Sequence, residues 1–271
     1  MAYAGAGGTD GSESSLLLYL IILPLILGYA AYVAIMKFYA TRAAAVVLAR
    51  AAQRDRRWDR DTLIQHVRTV FVNVQTFWSK NDLESAIPCL HPNYVDEFAG
   101  LLANNEQAGL VNMVSNIKLR TVDIVLAKDY ADNDQDMFVA HISGTMDDVM
   151  QTEMGRVVKT QGDKKGESER EIDEYWRFQR LGDTWLLRQI SQDDGVLSNE
   201  VSLDAETLFE THTDGAHLTQ LIHTAEEQER VNQLRFKWVA WGIGLAITCL
   251  GYYLYFMLFK GAWGFITNFL F

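Results

Sequence analysis

Two long stretches without a charged residue, one near each end of the chain, limit most strongly what this sequence can fold into. Residues 16–36 give 21 consecutive uncharged positions, and residues 238–259 give 22. About 20 apolar residues in a helix cross the roughly 30 Å hydrocarbon core of a bilayer. The alternative, a buried core helix, rarely runs so long without a polar face. The sequence therefore predicts two transmembrane helices, at residues 16–38 and 237–259.

The segment before the first span, residues 1–15, differs from a targeting sequence. It contains Asp10 and Glu13 and no basic residue, whereas a signal peptide starts with basic residues and a transit peptide is rich in Arg. Its Gly/Ser-rich composition predicts a disordered segment. We therefore expect the first span to be an uncleaved anchor.

Basic residues mark one side of both predicted spans. Residues 37–60 contain seven of them directly after the first span, three precede the second span, and only Lys260 follows it. Lys and Arg collect on the cytoplasmic side of a membrane. The distribution predicts a two-pass protein with both termini outside and the region between the spans in the cytoplasm.

The residues that follow the first span form a basic segment next to an acidic remainder. Residues 37–61 have a net charge of +4, whereas the whole chain has −11. Anionic lipid headgroups attract such a segment, although ordinary orientation bias produces the same pattern. The predicted lipid contacts, called the basic collar below, are Arg42, Arg50, Arg54, Arg56 and Arg57.

Residues 39–58 are rich in Ala and Arg and contain neither Gly nor Pro, which predicts a juxtamembrane helix. Two placements of this helix fit the sequence. In the first, it lies along the membrane with Val46 and Val47 facing the acyl boundary. In the second, it stands upright and pairs its last arginines with the acidic residues Glu226, Glu227 and Glu229.

The region between the spans begins with helical periodicity. Apolar residues recur three or four positions apart from Ile64 to Trp78, which predicts an amphipathic helix with Asp59 or Asp61 as its N-cap. Pro92 suits the first position of a second helix. Residues 109–116 fit a short helix or turn.

From about residue 118 the apolar residues alternate, which predicts four strands, the last two joined by a turn at Gly182–Asp183. One predicted face carries Val122, Ile124 and Leu126. Helices followed by antiparallel strands predict an α+β domain with helices on one face of the sheet. The predicted domain covers residues 59–195, followed by a linker and helix at residues 196–236 and an apolar interfacial tail at residues 260–271.

Three stretches of this domain resemble a known family. They are TFWSKNDLESAIPCLHPNYVDEF, GLVNMVSNIKLRTVDIV and EIDEYWRFQRLGDTWLLRQI. Over about residues 59–192 they are similar to the membrane-docking domain of the mitochondrial import-motor scaffold. The resemblance implies a nuclear-transport-factor-2-like cone, in which a curved antiparallel sheet and its helices surround a pocket. It also implies a scaffold that links a membrane complex to a chaperone.

That family docks on membranes, so the resemblance favours the helix that lies along the surface. The two flanking spans are more similar to a bacterial inner-membrane relative than to the mitochondrial members. The mitochondrial inner membrane is therefore the less favoured location.

Patterns for catalysis, cofactors or metals are missing from the sequence. The Gly-rich start lacks the spacing of a phosphate loop, and the six histidines lack ligand spacing. The acidic run at Asp132 has Met137 where a calcium loop needs Gly. A negative chain without a stripe of aromatic and basic residues argues against nucleic acid. We therefore predict no enzyme, cofactor, metal or nucleic-acid partner.

One group of residues keeps a ligand pocket as an alternative. Asp123 and His141 are predicted on the strand face opposite the apolar row, where a pocket base can lie, although such a face is more often solvated. Tyr175 and Trp176 belong to an aromatic run that forms either sheet core or a pocket lining. This alternative is an enzyme of the dehydratase or isomerase type acting on a small apolar substrate.

Small residues recur every fourth position on the second span, at Ala240, Gly244 and Thr248. Such spacing lets helix backbones approach closely, which predicts contact with the first span or with a partner span. Glycine and alanine are also simply common in spans.

The leading hypothesis is a membrane-tethered scaffold or adaptor that binds a protein partner and anionic lipid in protein transport or membrane-complex assembly. An accessory subunit of a larger membrane complex is the second. Both are favoured over the enzyme because no catalytic set is present.

Overall fold

The computed structural model divides into two compact units, Met1–Met36 with Leu234–Phe271, and Lys37–Gln233. The residues that it describes are 11–152, 154–160, 168–192, 200, 202–204, 231, 234, 237–254 and 256–257. The predicted tail at residues 260–271, most of the predicted linker at residues 196–236 and residues 1–10 lie outside this part of the chain.

The first unit contains the start of α1 (Gly11–Arg54) and a helix over residues 237–254. Because α1 begins at Gly11, residues 11–15 are helical, and the prediction that they are disordered is wrong. Within the described residues, one helical segment, the part of α1 from Ile22 to Arg54, is long and apolar enough to cross a membrane. The second span stays a prediction.

The second unit begins with the end of α1 and three further helices, α2 (Arg60–Lys80), α3 (Leu83–Ala86) and α4 (Pro92–Gln107). Asp59 caps α2, since its carboxylate accepts a hydrogen bond from the Thr62 amide at 2.9 Å. Pro92 is the first residue of α4. These two predicted helix starts are confirmed.

A six-stranded sheet follows. Its strands are β1 (Leu110–Asp129), β2 (Met137–Thr152), β3 (Val157–Thr160), β4 (Glu169–Leu181), β5 (Thr184–Ser191) and β6 (Leu203–Asp204). They are arranged in the order β5-β4-β2-β1-β6, with β3 paired to β2, and all pairs are antiparallel except β1 with β6. The α+β prediction is confirmed, and so is the turn at Gly182–Asp183, where Gly182 has a φ of 58°.

The long hairpin of β1 and β2 departs from the sequence prediction at both ends. Residues 110–115, predicted as helix or turn, pair with the end of β2, from Leu110 opposite Thr152 onward. The ladder irregularity between Ile124 and Leu126 moves Leu126 to the other face from Val122 and Ile124. Three such irregularities in β1 strengthen its twist, which curves the sheet around the helices.

The main core lies between the helices and one face of this sheet. Its largest fully buried side chains include Phe71, Phe98, Phe138, Trp176 and Phe178. The row of Phe138, Ala140, Ile142 and Met146 on β2 is buried on this face, which we call the inner face. The other face, the outer face, carries a smaller apolar cluster of Val125, Leu126, Val139 and Tyr175.

Candidate functional site

The end of α1 belongs to the folded domain. Ala44, Val47, Leu48 and Ala51 are all buried in the main core, with at most 7% of their surface exposed. Val47 therefore packs on the protein's own interior, and its predicted position at the acyl boundary is wrong. The physical reason is the spacing: 44, 47, 48 and 51 form one helical stripe, which matches a core-facing helix. Residues 39–58, predicted as a separate juxtamembrane helix, fall in the same compact unit as the domain.

The arginines of the basic collar divide into two groups. Arg54 bonds Asp129 at 2.5 Å and Asp204 at 2.8 Å, and both carboxylates are nearly fully buried. Burial alone lowers the pKa of Arg54, but the hydrogen bonds and charges of the two aspartates hold it above its usual value. Arg57 pairs with Asp183 at 2.6 Å and with Asp55 at 3.3 Å on the surface. Arg54 is therefore a structural residue whose charge is already compensated.

The other collar residues, Arg42, Arg50 and Arg56, are exposed. Arg42 and Arg50 share one side of α1 with Phe38 and Val46, which are 60% and 49% exposed. These four residues, spaced four apart, form an exposed stripe opposite the buried one, called the lipid stripe below. The acidic residues of the upright alternative, Glu226, Glu227 and Glu229, lie outside the described residues.

Three of the four predicted pocket residues meet on the outer face. Asp123 lies opposite His141, which lies opposite Tyr175 on the next strand. Lys37 bonds Asp123 at 2.9 Å, and the Nε2 atom of His141 bonds Asp173 at 2.5 Å. Burial lowers the pKa of His141 despite the raising effect of Asp173, so the ring is neutral near pH 7. The fourth residue, Trp176, lies on the inner face, 4.8 Å from the ring of Phe71.

A cavity of about 380 Å³ lies on the inner face instead, between α2, α4 and the sheet. None of Asp123, His141, Tyr175 and Trp176 lines it. The helices contribute mostly apolar side chains, among them Val74, Trp78, Phe98 and Leu101. The strands contribute Asn112, Asp148, Arg170 and Glu174. The resemblance implied such a pocket, but its polar residues were not identified from the sequence.

The polar side of the cavity is organised by Arg170. Its Nε atom donates to Asp148 at 2.9 Å, and its Nη2 atom donates to Glu174 at 3.2 Å. Glu174 also accepts a hydrogen bond from the indole of Trp176 at 2.9 Å. A signal was present in the sequence, because Arg170 and Glu174 share the strand face of Trp176, which was predicted as sheet core or pocket lining.

The stripe of small residues on the helix over residues 237–254 lies against α1 within the first unit. Ala240 is fully buried, and a Cβ atom on Gly244 would meet the carbonyl oxygen of Gly28 at 2.8 Å. The hydroxyl of Thr248 donates to the carbonyl of Pro24 at 3.2 Å. Two of the three predicted residues, Gly244 and Thr248, thus contact α1, and the third, Ala240, is buried.

Within the described residues, no group of three or more His, Cys, Asp or Glu side chains is placed to hold a metal ion. The outer-face cluster offers a neutral imidazole and carboxylates. The inner cavity offers one guanidinium, two buried carboxylates and an amide. Both arrangements contain polar and charged groups that can bind a ligand.

Comparison with known proteins identifies the second unit. A family model described as "Tim44-like domain" matches residues 44–192. No curated protein matches significantly. Similar solved structures include the intermembrane space region of the chloroplast protein ARC6, 13% identical, covering 47% of this chain and 94% of that one with a TM-score of 0.34. A de novo designed β-sheet protein is 11% identical and covers 48% and 87%, with a TM-score of 0.27. At these scores neither likeness bears on function.

Proposed function

Because the chain belongs to the family of Tim44-like domains, we propose that it is a membrane-anchored scaffold that binds a protein partner in protein transport or membrane-complex assembly. The observation that carries this proposal is the family match, which begins at residue 44 inside α1. The same helix contains the apolar segment long enough to cross a membrane. The scaffold has no catalytic role of its own.

Anionic lipid is the second ligand of this scaffold. The lipid stripe supports this role, since Arg42 and Arg50 are exposed and alternate along α1 with the exposed Phe38 and Val46. Basic residues near an anionic surface contribute about 1 kcal/mol each, and apolar neighbours add buried area at the headgroup boundary. Arg56 adds a third exposed charge, whereas Arg54 and Arg57 act mainly within the protein.

The proposed location is a bacterial inner membrane, with both termini outside and the domain in the cytoplasm. The asymmetry of Lys and Arg around both apolar segments supports this topology. A reporter that is active only in the cytoplasm is fused after Phe271. We expect it to be silent there and active when inserted after residue 160. Activity after Phe271 would exclude the two-span topology.

The partner is sought in the native membrane. A photo-crosslinking residue is placed at Met154, which is 98% exposed, and cross-linked products are compared with those from a position on the first span. If the protein is a scaffold, we expect one reproducible cross-linked protein from the position at Met154. It should be recovered in mild detergent at near-stoichiometric yield. An accessory subunit instead gives its product mainly from the span position, and no product from either position contradicts both roles.

A further inference from the structure

The cavity between α2, α4 and the inner face has a chemical asymmetry that a general partner surface does not explain. Its helix side is mostly apolar and aromatic, with Trp78 and Phe98, whereas its strand side holds two carboxylates that are about 95% buried, Asp148 and Glu174. Burying a carboxylate is costly unless a counter-charge and hydrogen bonds compensate it.

That compensation is incomplete on the strand side. Within the described residues, a single guanidinium, Arg170, is shared between Asp148 and Glu174, so the pair keeps one negative charge that no cation in this part of the chain compensates. Glu97 adds a further carboxylate to the lining from α4. Burial, helped by the charges of Glu97 and Glu174, raises the pKa of Tyr94 to about 12, so this lining phenol stays neutral. The cavity therefore has a net negative charge.

Two buried acceptor atoms in the lining also have no hydrogen-bond donor among the described residues. They are Oδ1 of Asp148 and Oδ1 of Asn112. Val114 lies opposite Asp148 in the hairpin, and Asn112 is two residues from Val114, so Asn112 and Asp148 are diagonal neighbours on the same face. Water can donate to both oxygens, but it leaves the excess charge in place.

We propose that this cavity binds a primary ammonium group carried on an apolar stem. An ammonium provides three donors and one positive charge, which suit the two acceptors and the uncompensated carboxylate. The stem then lies along Trp78 and Phe98, whose ring faces also attract a cation. A free alkylamine and a lysine side chain of a bound polypeptide supply the same chemistry. The site goes beyond the scaffold role and does not depend on it.

The test is calorimetric titration of the full chain in nanodiscs of neutral lipid with n-pentylammonium, n-pentanol and pentanoate. We expect saturable binding of pentylammonium, at least tenfold tighter than pentanol, and no binding of pentanoate. Asp148→Asn should weaken pentylammonium at least tenfold and leave pentanol unchanged. Glu106→Gln, which removes a charge on exposed residue 106 outside the cavity lining, is the matched control and should leave all three unchanged.

A second variant keeps the test decisive if Asp148→Asn does not fold. Asn112→Leu removes the other acceptor without touching the ion pairs of Arg170, and it should weaken pentylammonium severalfold. Titration with Nα-acetyl-lysine methylamide separates the two sources: comparable affinity assigns a lysine side chain, and its exclusion assigns a free amine. Equal affinity for pentylammonium and pentanol, or no saturable binding of pentylammonium to the wild type, would overturn the proposal.

Discussion

Two segments of the same helix, residues 22–36 and residues 44–54 of α1, use similar apolar side chains in opposite ways. In the first segment Leu23, Leu25, Ile26 and Leu27 are each more than half exposed. In the second, Ala44, Val47, Leu48 and Ala51 are buried in the core of the domain. Apolar composition alone does not separate these uses. The first segment is apolar on every side, whereas the second confines its buried residues to one stripe and faces arginines outward.

The two segments also make their close contacts by different means. The first approaches the second apolar helix through backbone at Gly28 and Gly244. The second ends in charged side chains, because Arg54 reaches Asp129 and Asp204, and Asp55 reaches Arg180 at 2.8 Å. Each of these two kinds of contact can be removed by its own substitution.

Removing the Arg54 charge should have the largest effect. Arg54→Ala leaves Asp129 and Asp204 without their guanidinium, and we expect the free energy of unfolding of the domain to fall by about 3–5 kcal/mol. Denaturant unfolding followed by tryptophan fluorescence measures this. Arg50→Ala removes an exposed charge one helical turn away from Arg54, and it should change stability by no more than about 0.5 kcal/mol. Equal effects of the two variants would mean that the ion pairs are not structural.

Leucines taken from the two segments should respond differently to truncation. Leu48→Ala creates a cavity in the core and should cost the domain about 2–4 kcal/mol. Leu25, which is 53% exposed, is the matched control. With both variants measured in one detergent, Leu25→Ala should leave the free energy of unfolding of the domain unchanged. A similar loss in both variants would remove the distinction between anchor and core helix.

The backbone contact of the first unit is broken by bulk at one glycine. Gly244→Leu places a side chain against the carbonyl of Gly28, so we expect the yield of a disulfide cross-link between the two helices to fall. Gly242, around which no atom lies within 4 Å of an added Cβ, provides the control. Gly242→Leu should keep the full yield, and an unchanged yield for Gly244→Leu would contradict the contact.

The ion pairs that Arg180 forms after the end of α1 should make the stability of the domain pH-dependent. Arg180 bonds both Asp55 and Asp136, and burial raises the pKa of Asp136 to about 7. An acid with a raised pKa binds its proton more tightly when folded, so its stability contribution is complete below about pH 4 and is lost as the pH rises through 7.

Measured against Asp136→Asn, the free energy of unfolding of the wild type should therefore fall by about 1 kcal/mol between pH 6 and pH 7. The fall cannot exceed about 1.4 kcal/mol per pH unit for one proton. Parallel pH profiles for the two proteins would show that Asp136 does not titrate in this range.

The smallest effect is expected at the lipid stripe. Arg42→Gln removes one exposed charge, so binding of residues 37–233 to anionic vesicles should weaken by about 1 kcal/mol at low salt. Flotation with vesicles measures this, and high salt should remove the difference because screening shortens the range of the attraction. Arg188→Gln, on β5, serves as the control with the same charge change. Equal weakening by both variants would indicate attraction to net charge without a defined stripe.

Local patterns were sufficient for much of the domain. The N-cap at Asp59, the start of α4 at Pro92 and the turn at Gly182 each depend on neighbouring residues, and each was predictable. Residues 110–115 were not, since their strand state comes from pairing with β2, far along the chain. The face of Leu126 was also mispredicted, because an irregularity in the ladder interrupts the alternation that the prediction assumed.

The sequence by itself determined the α+β class, the family and the apolar segment that can cross a membrane, because each follows from periodicity, composition or residue strings within a short window. The tertiary structure decided how individual side chains are used. It turned Val47 toward the core and paired Arg54 with Asp129 and Asp204. It also brought Asn112, Asp148, Arg170 and Glu174 from three strands to one cavity. These contacts join residues that are distant in the chain, and charge compensation and burial depend on such neighbours.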